Sequence, residues 1–265
     1  MRRIRRETAV SMPAVRRGTN QTALSALSIV VGIALWQALA IQVSGFILPS
    51  PLSVLSSLAE PGFLAQLLPA FGSFLLSMLL GFAISLAIAV PLGIALGRSE
   101  RLRRMFEPSI TAIYAIPPVA FVPFLVVWFG LFFEARVALV VLMTVFDVLL
   151  VVIAGARDVR SGLIDVGRSF GASPSARLRL IVLPAVTPFL LAGLRVGIAR
   201  AINGTITAEL FFAAANLGKL IKRASQNFDT AMVLLIVLLV SILGLFSQWF
   251  IGWIERRDMP WHARG

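Results

Sequence analysis

Cysteine is absent from the chain, which excludes disulfides, thiolate metal sites and a cysteine nucleophile. Histidine occurs once, as His262 in a polar stretch near the end, so neither a zinc centre nor a Ser-His-Asp triad has the imidazoles it needs. No metal ligands and no catalytic residues are expected. There is no Gly-x-x-x-x-Gly-Lys loop to cradle a nucleotide, so the chain does not hydrolyse ATP itself, and any energy comes from a partner or an ion gradient. Internal repeats, low-complexity tracts and a separate soluble domain are missing as well. Charge is also scarce: 14% of residues are charged, against about 25% in soluble domains. So few charges cannot coat a globule of 265 residues.

What the chain has instead is apolar length. Hydrophobic residues make up 58% and the mean hydropathy is +0.93, which places the chain in lipid. A net charge of +12 raises the question of nucleic acid. The cations, however, sit in short clusters between apolar runs, with no basic face interleaved with aromatics, and no nucleic-acid partner is expected. A crossing helix needs about 20 apolar residues. Six stretches qualify: Ala23–Val43, Leu67–Gly97, Ser109–Phe129, Ala135–Ala156, Pro184–Ala213 and Thr230–Trp253. The second and fifth are overlong, which predicts tilt, kinks or projecting ends. The first follows an arginine-rich segment, as a signal peptide does. Its apolar run is too long for a signal h-region and further spans follow, so a retained anchor is expected.

The fold class expected is therefore an all-α polytopic membrane protein of six transmembrane helices. A basic N-terminal tail covers residues 1–22, the membrane domain 23–257 and a C-terminal tail 258–265. Basic residues flanking the spans set the orientation. With the amino terminus inside, the inner side holds six in the tail, four from Arg98 to Arg104, five from Arg157 to Arg179, and Arg256, Arg257 and Arg264. The outer side holds Arg136, Lys219, Lys222 and Arg223, while Arg195 and Arg200 fall within the fifth span. This asymmetry predicts that both termini are cytoplasmic. In the first outer loop, Pro49 and Pro51 stop the first helix, and Ser53 is expected to cap a short amphipathic one.

The longest inner connection, residues 157–183, reads as more than a basic tether held by anionic lipid. Asp165–Phe170 can form a short helix, Gly171 supplies the turn, and Ser173-Pro174 starts a second helix. Leu178, Ile181 and Val182 give it an apolar edge before Pro184 opens the next span. Asp165-Val166-Gly167, Gly171 after three intervening residues, then Ile181 and Leu183-Pro184 resemble the signature loop of binding-protein-dependent ABC importer permeases, E-A-A-x-x-x-G followed by nine residues and I-x-L-P. The chain departs from it in two places: Asp165 replaces the glutamate, and Val166-Gly167 replaces two alanines, at a helix cost of about 1 kcal/mol for the glycine. The segments LPSPLSVL, RLRRMFEPSITAIYAIPPVAFVPFLVVWFG, PAVTPFLLAGLRVGIARAI and ASQNFDTAMV also resemble the nitrate, sulfonate and taurine branch of that family.

The resemblance implies a type I importer permease in a bacterial cell membrane: a pathway-forming subunit, not an enzyme. It implies a second permease copy as homodimer partner, an ABC ATPase subunit dimer carrying ATP and magnesium, and an extracytoplasmic substrate-binding protein. No cofactor is bound by the chain itself. Asp165, Arg168, Ser169, Phe170, Gly171 and Ala172 would be the ATPase-coupling surface, with Phe170 its apolar anchor. The cargo implied is a small anion of sulfonate, taurine or nitrate type; thiamine or riboflavin precursors and aromatic carboxylates are alternatives. A gradient-driven transporter or channel, with Asp147 or Glu209 as its ion site, is the competing class. An intramembrane enzyme lacks a catalytic pair.

Polar residues inside spans mark candidate pathway positions. Asp147 lies midway along the fourth span and serves either the substrate or an interhelical hydrogen bond. In the fifth, Arg200, Asn203 and Thr207 share one helical face, while Arg195 and Glu209 lie roughly opposite. The Arg200 face is the favoured pathway lining. Pro117, Pro118 and Pro123 predict a kinked third span, lining the pathway or merely shaping packing.

Overall fold

The computed structural model describes residues 20–212 and 216–258, and those residues are almost wholly helical. Helix α1 spans Asn20–Gln42. Helix α2, Pro51–Ser56, follows; Ser50, not Ser53, is its cap, with the Ser50 hydroxyl accepting from the Ser53 amide at 3.2 Å. The chain makes this choice because Pro51 at the first helical position has no N–H to satisfy, which sets the cap one residue earlier. The Trp36 indole of α1 donates to the Pro49 carbonyl at 3.0 Å. Otherwise α1 stands off the bundle with its leucines, isoleucines and valines exposed, as suits a helix surrounded by acyl chains.

Helix α3, Phe63–Arg98, runs 36 residues, about 54 Å at the α-helical rise, with Pro69 and Pro91 inside it. Helices α4 (Glu100–Tyr114) and α5 (Val122–Phe129) replace the single kinked third span expected from sequence. They meet at 84°. Pro117 is extended (ψ 123°) because the following proline disfavours the helical conformation at its neighbour. Two successive residues without N–H groups then leave the helix nothing to continue on. Among the described residues five helices are long and apolar enough to cross a membrane, and six if the bent pair counts as one.

Helix α6 spans Phe133–Asp158. After α7 (Ser161–Ser169) and the short α8 (Pro174–Arg177), a π-helical turn over Leu178–Val182 leads into α9, Leu183–Phe211. Helix α10, Asn216–Gln226, is an amphipathic element not anticipated from the sequence, and α11 covers Thr230–Asp258. Helices α3, α6 and α9 form the packed centre. Small residues let their backbones approach, because in lipid close van der Waals fit, not the hydrophobic effect, holds helices together. A Cβ at Gly81 of α3 would lie 2.5 Å from Val140 Cγ1 of α6, and one at Gly197 of α9 would lie 2.7 Å from Val148 Cγ2.

Since α6 and α9 are antiparallel, α7 lies at one end of their hairpin and α10 at the other.

Candidate coupling loop and translocation face

The α6–α9 connection is built by local rules. Gly171 adopts φ +70°; its amide donates to the Arg168 carbonyl at 2.9 Å, and the Ala172 amide to the Gly167 carbonyl at 3.0 Å. That pair of bonds is the Schellman termination, which favours glycine at the left-handed position. The Ser173 hydroxyl then caps α8 by accepting from the Ala176 amide at 3.2 Å. Gly167, a departure from the family pattern, is buried, and a Cβ there would meet Ile181 Cδ1 at 2.8 Å. The missing side chain thus seats α7 against the turn that leads into α9.

The outer side of α7 is open. Phe170 is 86% exposed, and Leu163 and Val166 are exposed beside it. Their spacing puts them on one stripe. Asp165 and Arg168 form an ion pair at 3.6 Å, and the Ser169 hydroxyl donates to the Asp165 carbonyl at 3.1 Å; Ala172 is half-buried. Beyond the ends of the long spans, α7 thus exposes an apolar stripe flanked by an ion pair. Leu163 and Val166 extend the surface expected around Phe170, on the i, i+3, i+7 pattern visible in the sequence.

Midway along the bundle, Arg200 Nε of α9 lies 3.3 Å from Asp147 Oδ2 of α6, and the Tyr114 hydroxyl of α4 donates to Asp147 Oδ1 at 3.3 Å. Arg200 remains 47% exposed at its side chain, while Asp147 is only 14% exposed. Asn203 is exposed and Thr207 half-buried, its hydroxyl donating to the Asn203 carbonyl at 2.8 Å. These three lie on the open side of α9, since Ala201, Ile202, Thr205 and Ala208 are buried against the other helices. Pro117 falls in the α4–α5 break, Pro118 opens the 3-10 turn after it, and Pro123 is in the first turn of α5.

Glu209 faces inward. It is 2% exposed and pairs with Arg136 of α6, 9% exposed, at 2.9 Å; its other oxygen accepts from the Gly218 amide at 2.9 Å. The Arg136 guanidinium also lies over the Phe133 ring, 5.5 Å from its centroid. Arg136, expected in an outer loop, is thus a buried residue of α6, and the pair was not foreseen. A cavity of about 330 Å³ between α3, α9, α10 and α11 reaches Asn203, Glu209 and Gln248. Gln248 donates to the Arg195 carbonyl at 3.2 Å. Among the described residues no group of three or more His, Cys, Asp and Glu side chains is placed to hold a metal.

The loop geometry, the packed α3–α6–α9 centre and the spans agree with one family model: residues 89–258 match the binding-protein-dependent transport system inner membrane component. The chain belongs to that family. It is similar along its length to the taurine transport system permease protein TauC of Escherichia coli, 30% identical over 252 residues and covering 92% of each chain. The SsuC permease of Bacillus subtilis, named for aliphatic sulfonates transport, is 27% identical over 234 residues, 86% of this chain and 84% of that one. The formylaminopyrimidine transport permease protein ThiX of Halalkalibacterium halodurans is 27% identical over 222 residues, 83% and 87% respectively. The type I ABC permease fold, that of a multi-pass membrane protein serving as a transport permease subunit, follows from membership in this family.

Proposed function

We propose that this permease forms the pathway of an ATP-driven importer for a small anion of sulfonate, taurine or nitrate type. The observation that carries the reading is the α7 surface: a Schellman-terminated helix at the end of the α6–α9 hairpin, presenting an exposed Leu163–Val166–Phe170 stripe. Residues 165–172 engage the ATPase subunit, which holds the ATP and magnesium. Two copies of the permease sit over two ATPase subunits in the bacterial inner membrane, with both termini cytoplasmic. A binding protein delivers the solute from outside. ATP closes the ATPase pair, moves the coupling helices together and swings α6 and α9 as rigid bodies, and hydrolysis returns them.

The open side of α9 supports the choice of cargo. A half-exposed guanidinium mid-span cannot face acyl chains, so Arg200, Asn203 and Thr207 face the pathway. Asp147, itself hydrogen-bonded by Tyr114, holds the Arg200 Nε edge, which leaves the terminal nitrogens for an anion. The names of TauC and SsuC point to sulfonate-bearing solutes. Uptake of taurine, an alkanesulfonate and nitrate into vesicles holding the reconstituted complex tests this. ATP-dependent uptake of one of them, lost in Arg200→Ala, is expected; transport by the permease alone without an ATPase would overturn it.

A further inference from the structure

Among the cations assigned to the outer side, three occupy one helical turn of α10: Lys219, Lys222 and Arg223. All three are exposed, and none forms an ion pair among the described residues. The apolar side of α10 is already spent: Leu217, Gly218 and Ala224 are buried, and Leu220 and Ile221 pack on the same core. A helix that binds a lipid surface keeps its apolar face for the acyl chains, and α10 has none left. Its start is pinned by the Gly218 amide to Glu209 and so to Arg136.

The end of α10 is stranger. Phe228 takes φ +57°; its amide donates to the Ser225 carbonyl at 3.2 Å and the Asp229 amide to the Ala224 carbonyl at 2.8 Å. This is again the Schellman termination, with a bulky aromatic where glycine belongs. The ring lies outside the packed core, with Phe228 75% exposed. Strain kept at an exposed aromatic points to function, and aromatic anchors beside cations are what protein interfaces use. Glu60 and Asp229 border the cleft below Arg223, but Asp229 is engaged in capping α11 through the Met232 amide at 3.0 Å.

We infer that the exposed face of α10 and its closing turn, Lys219, Lys222, Arg223 and Phe228, is the docking surface for an acidic face of the extracytoplasmic binding protein. The inference rests on the importer reading, which places α10 outside. The test is ATP hydrolysis by the reconstituted complex in nanodiscs, titrated with its solute-loaded binding protein. In the triple variant Lys219→Glu, Lys222→Glu, Arg223→Glu, the half-saturating concentration rises about tenfold, the basal rate stays unchanged and the salt dependence flattens. Phe228→Gly, which relieves the strained turn, keeps or raises thermal stability yet also weakens docking.

Unchanged half-saturation in both variants would overturn the inference. So would a loss that follows the anionic lipid content of the nanodisc instead of the binding-protein concentration, which would make the patch a headgroup site. Failure of the importer reading is separately visible: the wild-type permease would then retain no ATPase subunit at all.

Discussion

Breaking the Arg136–Glu209 pair should destabilise the permease severely, whereas removing both partners should not. The two side chains are 9% and 2% exposed and 2.9 Å apart, and Glu209 also satisfies the Gly218 amide at 2.9 Å. Arg136→Met leaves a buried carboxylate without its cation, and Glu209→Leu leaves a buried guanidinium without its anion. Each single change should cost about 3–5 kcal/mol. The double variant leaves no buried charge: the Gly218 amide loses its partner, a cost of about 1–3 kcal/mol, and the Asn216 side chain loses the guanidinium but keeps the Ser73 hydroxyl, so the two losses are far from additive. Equilibrium unfolding of the purified permease in mixed micelles of graded denaturing-detergent content would measure all three. Single variants within about 1 kcal/mol of wild type, or a double variant equal to the sum of the singles, would refute the reasoning.

Phe170→Ala should leave stability within about 0.5 kcal/mol of wild type, because the ring is exposed; the same micelle titration checks it, and solute-stimulated ATP hydrolysis in the assembled complex should be lost. Gly155→Ala should destabilise by about 1–3 kcal/mol, since a Cβ there would overlap the Phe189 side chain of α9; thermal unfolding reports the loss. Asp147→Asn removes the charge that holds the Arg200 Nε edge. Uptake assays should show a raised apparent KM for the anion, and Arg200→Lys should not restore the wild-type value, because lysine lacks the planar fork.

The turn between α7 and α8 was legible because its determinants are local: a glycine for the left-handed turn, then Ser173-Pro174 to start a helix. A second glycine, four positions earlier, was less legible. Gly167 reads as a weak helix residue, and only its contact with Ile181, fourteen positions on, gives it a purpose. The prolines announced an interruption in the third span, but the 84° angle arises from consecutive residues that both lack an amide donor. Helix α10 was within reach, since Leu217, Leu220, Ile221 and Ala224 repeat at i, i+3, i+4 and i+7. Its shortness hid it beside the long spans. The Arg136–Glu209 pair had no local signal: its partners are 73 positions apart, and a charge count assigns an arginine near a span end to the adjacent loop. The Asp147–Arg200 contact was foreseen only as one of two uses for a charged residue mid-span.

The absence of cysteine makes the central claim directly measurable. A lone cysteine introduced as Phe170→Cys is the only thiol on the permease, so a thiol-anchored photo-crosslinker placed there reports one position. In membranes containing the assembled complex, a crosslink from position 170 to the ATPase subunit is expected, and none from a Phe228→Cys control at the opposite end of the α6–α9 hairpin. Crosslinking of position 170 to lipid alone, with the ATPase captured equally or better from position 228, would contradict it.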